Sequence, residues 1–226
     1  MTKILGNDDT GLSVSRRTLL TAAPIFAAFA MMPRWASAAV SAADSADIGR
    51  VQDYLNNIKT LKTRFQQVSN DGGVATGTLY MSRPGKMRVE YDPPVPVLMV
   101  ATEERIWYYD KKLEEISFFD LKDTPAWFLL QPNVRFGGEI TVSGFERSPG
   151  AFRVTVNETK NPDLGKATLV MSDQPLQLRQ WKILDAQQKQ VTVTLDDPHY
   201  GLPLDPQLFY WTDPRPPSAR ATGTGN

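Results

Sequence analysis

The chain has 226 residues, with 25 basic and 25 acidic side chains, a formal charge of zero and no cysteine. That balance argues against a nucleic-acid partner, which calls for a basic surface. Without thiols there is no disulfide framework and no cysteine nucleophile, and no cysteine to carry a lipid anchor.

The N-terminus reads as an export signal. Ser15-Arg16-Arg17-Thr18-Leu19-Leu20 fits a twin-arginine pattern, and the apolar run from Ala22 to Met32 is too short to span a bilayer. Ala36-Ser37-Ala38 supplies a small-residue cleavage site, so residues 1–38 are expected to be a cleaved signal peptide and the mature chain to start at Ala39. Cleavage removes Lys3, Arg16, Arg17 and Arg34 against Asp8 and Asp9, leaving a formal charge of −2. What remains is long enough for one domain with a real core.

Ile48, Val51, Leu55 and Ile58 form one apolar helical face, with Ser45 or Asp47 as the expected cap and Asn56, Asn57 and Lys59 on the other side. The period then switches to two at Leu61, Thr63, Phe65 and Gln67, which predicts a strand almost without a loop. Asn70-Asp71-Gly72-Gly73 is a turn, and a strand follows from Ala75 to Ser82, with Leu79 and Met81 on one face. Arg83 stands at its end, before the turn residues Pro84 and Gly85. Met87, Val89 and Tyr91 alternate with Lys86, Arg88 and Glu90 in the next strand.

Pro93, Pro94 and Pro96 belong on an edge or outside the sheet, because proline cannot donate to a ladder. Strands are expected at Val97–Ala101, Arg105–Asp110 and Leu113–Phe119. Asp123 or Thr124 can cap a short helix with Pro125 at its first position and Pro132 as its stop. Trp127, Phe128, Leu129 and Leu130 leave that helix no wet face. Five more strands follow: Glu139–Phe145, Phe152–Thr159, Ala167–Ser172, Leu176–Leu184 and Gln190–Asp196. Phe209-Tyr210-Trp211 closes the domain at about residue 212, and the Pro- and Gly-rich residues 213–226 read as a disordered tail.

About ten or eleven short sequential strands imply a mainly β, meandering antiparallel sheet. Such a sheet curls, and its concave face must be filled. The fillers available are the first helix and the Ala126–Leu130 segment.

No catalytic constellation is present: no nucleophile elbow, zinc-protease motif or phosphate loop. His199, the single histidine, lies in a turn-like Asp196–Gly201 stretch. The acidic pairs Glu103-Glu104, Glu114-Glu115 and Asp196-Asp197 read as solvated surface rather than metal ligands. No enzyme activity, cofactor or metal is expected. The aromatics Trp107, Tyr108, Tyr109, Phe118, Phe119, Trp127 and Phe128 either fill a β core or line a ligand cavity, and alternation lets only half of a strand's residues face inward. Met81, Met87 and Met99 suit a cavity for variable apolar ligands, because methionine is flexible.

Three segments in this order resemble the periplasmic lipoprotein carrier family (LolA-type). They are Arg83-Pro84 with Met87 and Val89, then Ile106-Trp107-Tyr108-Tyr109-Asp110, then Thr124-Pro125 before Ala126-Trp127-Phe128-Leu129-Leu130. The resemblance runs from about Ile48 to about Trp211, with Val89 where an aromatic often ends the first motif. It implies an incomplete antiparallel barrel with two or three short helices as a lid over an apolar cavity. Arg83 would close that lid through main-chain carbonyls. Leu79, Met81, Met87, Val89, Tyr91, Met99, Trp107, Tyr109, Trp127, Phe128 and Leu130 would form the cavity and lid.

The implied activity is that of a soluble, monomeric periplasmic carrier. It would take lipoprotein acyl chains from an inner-membrane releasing transporter to an outer-membrane receptor. A lipid-sensing regulator, or a carrier of another lipid such as a glycolipid or hopanoid, is the alternative on the same scaffold.

Overall fold

The switch of apolar period near Ile58 becomes a helix that runs directly into a strand. The computed structural model describes residues 42–124 and 127–216. The expected signal peptide, Pro125, Ala126 and residues 217–226 of the expected tail lie outside these. Helix α1 (Ala42–Asn57) buries Val51 and Leu55 completely. It begins upstream of the expected cap, so Asp47 sits within it. The Asp47 carboxylate is buried and accepts from Arg50 at 2.7 Å and from Arg147.

Eleven strands follow: β1 (Thr60–Ser69), β2 (Val74–Ser82), β3 (Lys86–Tyr91), β4 (Val97–Thr102), β5 (Arg105–Asp110), β6 (Glu115–Asp120), β7 (Ile140–Ser148), β8 (Ala151–Glu158), β9 (Gly165–Ser172), β10 (Gln177–Asp185) and β11 (Gln190–Tyr200). They form one antiparallel sheet in the order β6-β5-β4-β3-β2-β1-β11-β10-β9-β8-β7. Two runs of hairpins are thus joined where β1 pairs with β11. The sheet is open, with β6 and β7 as its edges, and residues 121–139 carry the chain from one edge to the other.

Period-two burial marks the inner face. On β2 and β3, Leu79 faces Val89 and Met81 faces Met87 across the ladder. On β8 and β9, Val154 faces Leu169, and both are fully buried. These residues share one core with Val51 and Leu55 of α1.

The outer face of β4 and β5 is also covered. Leu98, Val100 and Tyr109 form a second buried cluster, against which Ile116 and Trp211 pack. The chain returns there through a 3-10 turn at Pro206–Phe209, where the Asp205 side chain accepts from the Gln207 N–H at 2.9 Å. Burial on both faces explains why β4 reads Val-Leu-Met-Val-Ala with no polar alternation.

Several expected boundaries move for local reasons. The expected strand at Leu113 starts at Glu115, because Asp110 accepts from the Lys112 and Leu113 N–H groups and holds the turn. His199 belongs to β11 rather than to a turn and pairs with Lys62 of β1. Beside α1, the short helices are 3-10 turns, among them Leu121–Asp123 and Trp127–Leu130, where one lid helix is expected. No helix among the described residues is long and apolar enough to cross a membrane.

Candidate functional site

Between α1, the inner face of the sheet and Leu121, Thr124, Leu129 and Leu130 lies an apolar cavity of about 150 Å³. Of the residues expected to line it, Leu79, Met81, Met87, Val89, Tyr91, Met99 and Leu130 do so, and Arg83 stands at its rim. All three singled-out methionines are therefore on its wall. Phe65, Ile106, Leu178, Trp181 and Val193 complete much of the rest. Leu178, Trp181 and Val193 come from the far hairpin run. Only the β1–β11 pairing brings them to the site, and no local pattern announces such a long-range contact.

Trp107 and Tyr109 do not line this cavity. Strand parity puts Ile106 inward and these two outward, where the Trp107 ring stacks on Trp211 at 5.1 Å between centroids and Tyr109 joins the outer cluster. Trp127 and Phe128 are buried in the main core, but neither lines the cavity. In their tight 3-10 turn, Leu129 and Leu130 are the residues that reach it.

The walls carry few polar groups. The Tyr91 hydroxyl donates to Gln67 Oε1 at 2.7 Å, and burial pushes the phenol up to about 12. The Phe65 ring stands edge-on to Tyr91 at 5.4 Å. That ring covers Gly77, where a Cβ would meet its edge at 2.7 Å and the Glu90 carbonyl oxygen at 2.3 Å. Only glycine permits that packing.

Arg83 ties the coverings together. Its Nε and Nη2 donate to the Gln131 carbonyl at 3.0 and 2.5 Å, just past the second 3-10 turn. Its Nη1 donates to the Leu55 carbonyl and, at 3.4 Å, to that of Ile58. The cation thus sits at the C-terminal end of α1, bonding one carbonyl of its last turn, where the helix dipole favours positive charge. Burial lowers the guanidinium pKa, but the group stays charged. Two residues on, Gly85 has φ = +73° and its N–H donates to the Leu130 carbonyl at 2.8 Å. A Cβ there would lie 2.6 Å from the Glu103 Cα. The turn between β2 and β3 therefore holds two successive carbonyls of the strap formed by residues 127–139.

Further along, the strap is fixed to α1 instead. Asn56 accepts from the Val134 N–H at 2.7 Å and donates to its carbonyl at 2.9 Å, and Gln52 accepts from the Phe136 N–H at 2.8 Å. Asn56, expected on the wet side of the helix, makes this main-chain pairing. Helix α1 is itself anchored to the other half of the sheet. The Tyr54 hydroxyl donates to that of Tyr200 at 2.8 Å and accepts from the Leu178 N–H at 3.1 Å.

His199 is about half exposed and contacts Asp197 at 2.9 Å. No group of three or more His, Cys, Asp or Glu that could hold a metal occurs among the described residues.

An open antiparallel sheet with one long helix and an apolar cavity on its inner face define a half-barrel fold with an apolar interior. The family model described as outer membrane lipoprotein carrier protein LolA matches residues 56–212, and the chain belongs to that family. An outer-membrane lipoprotein carrier protein of Methylococcus capsulatus is 24% identical over 200 residues, covering 84% of this chain and 95% of that protein. One of Dechloromonas aromatica is 35% identical over 94 residues, covering 39% of this chain and only 42% of that protein. A LolA superfamily protein of Nitrosomonas europaea aligns in structure over 72% of this chain and 97% of its own, at 7% identity and a TM-score of 0.42.

Proposed function

We propose that this chain is a soluble periplasmic carrier that encloses the acyl chains of lipoproteins and moves them from the inner to the outer membrane. The observation that carries this reading is the pairing of a methionine-lined apolar cavity with a strap held by Arg83. Burying a chain of about a dozen methylenes is worth about 0.8 kcal/mol per methylene, so such a lipid does not leave a membrane for water unaided. A carrier must offset most of that and still let go.

The closed cavity, at about 150 Å³, matches the size that takes one benzene ring. An acyl chain needs several times more room, so loading opens the strap. Opening breaks the Arg83 bonds, and closing restores them. Their loss opposes binding and favours release. The donor in this scheme is an inner-membrane releasing transporter and the acceptor an outer-membrane receptor. The protein acts by enclosure, not by chemistry on the lipid.

Native mass spectrometry of the protein, purified from periplasm without detergent, tests this. A bound mass matching acylated lipoprotein, together with release of lipoprotein from inner-membrane vesicles, is the expected result. A glycolipid or hopanoid mass would reassign the cargo. Bare protein that releases nothing would overturn the carrier reading and favour a lipid-sensing regulator.

A further inference from the structure

A second pocket lies on the outer side of the strap. It has a volume of about 470 Å³ and is bounded by the β2–β3 turn at Pro84-Gly85, by Glu103, Lys122 and Glu139, and by the strap residue Trp127. Leu121 and Leu130 line both this pocket and the inner cavity. The two pockets thus meet at these two leucines. The lining of the outer pocket mixes apolar surface with a cation and two carboxylates. None of Glu103, Lys122 and Glu139 forms an ion pair among the described residues.

The anchoring of the strap says which part can move. Residues 134 and 136 are bonded to α1, which is itself bonded to β10 and β11. Leu130 and Gln131, by contrast, are held to the opposite half of the sheet by Gly85 and Arg83. That turn is thus what holds the strap beside the outer pocket.

We infer that the outer pocket is the seat of the polar end of the cargo, with its chains passing between Leu121 and Leu130 into the cavity. The ligand class is a diacylglyceryl cysteine with its first peptide units. Its ester and peptide carbonyls match the Lys122 ammonium, its N–H groups match the carboxylates of Glu103 and Glu139, and its glyceryl carbons match Trp127. This deepens the carrier reading and rests on it.

The test compares two ligands that share a chain and differ in the junction: a synthetic dipalmitoylglyceryl-cysteine peptide and methyl palmitate. Affinities are read by displacement of the neutral dye N-phenyl-1-naphthylamine. Glu139→Trp fills the outer pocket, and Lys122→Glu removes its cation. Both positions are exposed. Losing one charge-assisted contact should weaken lipopeptide binding about tenfold in each variant. Methyl palmitate should hold within about twofold, since the cavity walls are untouched. Unchanged lipopeptide affinity in both variants, or parallel loss of both ligands in both, would overturn the inference. Failure of the unaltered protein to bind either ligand is a different result, which removes the carrier reading and this inference with it.

Discussion

The guanidinium of Arg83 forks onto the carbonyl of Gln131, 48 residues away, with Nε at 3.0 Å and Nη2 at 2.5 Å, while its third nitrogen reaches the Leu55 carbonyl. One side chain therefore joins the strap to the end of α1. Each charge-assisted bond is worth about 1.5–3 kcal/mol net.

Arg83→Leu should weaken the closed, empty state more than the loaded one. Loss of one to two such bonds corresponds to roughly tenfold or more slower release of bound lipopeptide to acceptor vesicles. Arg83→Lys keeps the charge but not the fork, so it should fall between the two. Release rates equal to those of the unaltered protein in both variants would show that the clasp plays no part in discharge.

Asp47 links α1 to the β7 edge through Arg147, and it also bonds Arg50 within the helix. The Arg50 hydrogen bond, followed by that of Arg147, holds its carboxyl below the ordinary range despite burial. A depressed carboxyl stabilises the fold above the unfolded value, about 3.9, and loses that contribution as pH falls through its lower native value. Asp47→Asn should therefore destabilise the protein by about 1–2 kcal/mol at pH 7, the low end because both arginines are half exposed. The gap between variant and parent should start to narrow below about pH 4 and keep narrowing as pH falls through the lower native value. Urea titrations at pH 7 and pH 3 measure both values. A gap no smaller at pH 3 than at pH 7 would mean that packing, not charge, explains the variant.

Much of this was legible in the chain. Alternation at Leu79, Met81, Met87 and Val89 gave the strands and the right inward face, because their other side is polar. At Ile106-Trp107-Tyr108-Tyr109 the pattern carries no parity, since the returning C-terminal segment covers the outer face and lets both sides be apolar. Four consecutive apolar residues from Trp127 likewise could not say which of them look into the cavity. The strap's fixing to Asn56 and Gln52 was hidden for another reason. A helix's wet-side amide and one that pairs with a distant main chain look the same in sequence.

Gly77 is a tight point of the inner face. A methyl group there would meet the Glu90 carbonyl oxygen at 2.3 Å, and backbone in a central ladder cannot step aside. Gly77→Ala should cost about 2 kcal/mol or more, at the upper end of overpacking penalties. It should also push the Phe65 ring into the cavity and weaken binding of a neutral dye. Gly150, open to space in the β7–β8 turn but at φ = +72°, is a useful contrast. Gly150→Ala should lower the melting temperature and leave dye affinity alone. Equal dye affinity in Gly77→Ala would show that Phe65 relaxes away from the cavity.

Trp211 separates the outer cluster from the binding site. Its ring lies parallel to that of Trp107, at 5° and 5.1 Å, over Leu98, Val100 and Tyr109. Complete burial would make Trp→Ala cost about 3–5 kcal/mol, but this ring is only partly buried, so about 2 kcal/mol is expected. The loss is felt on the face of β4 opposite Met99, which lines the cavity. Trp211→Ala should therefore lower the denaturant midpoint while ligand affinity, measured well below that midpoint, stays within about twofold. Met99→Ala should cost a similar amount, about 2 kcal/mol, but it also enlarges the cavity and should change ligand affinity. If Trp211→Ala abolished binding in a folded protein, the two faces of β4 would be coupled, and the outer cluster would have to be counted as part of the site.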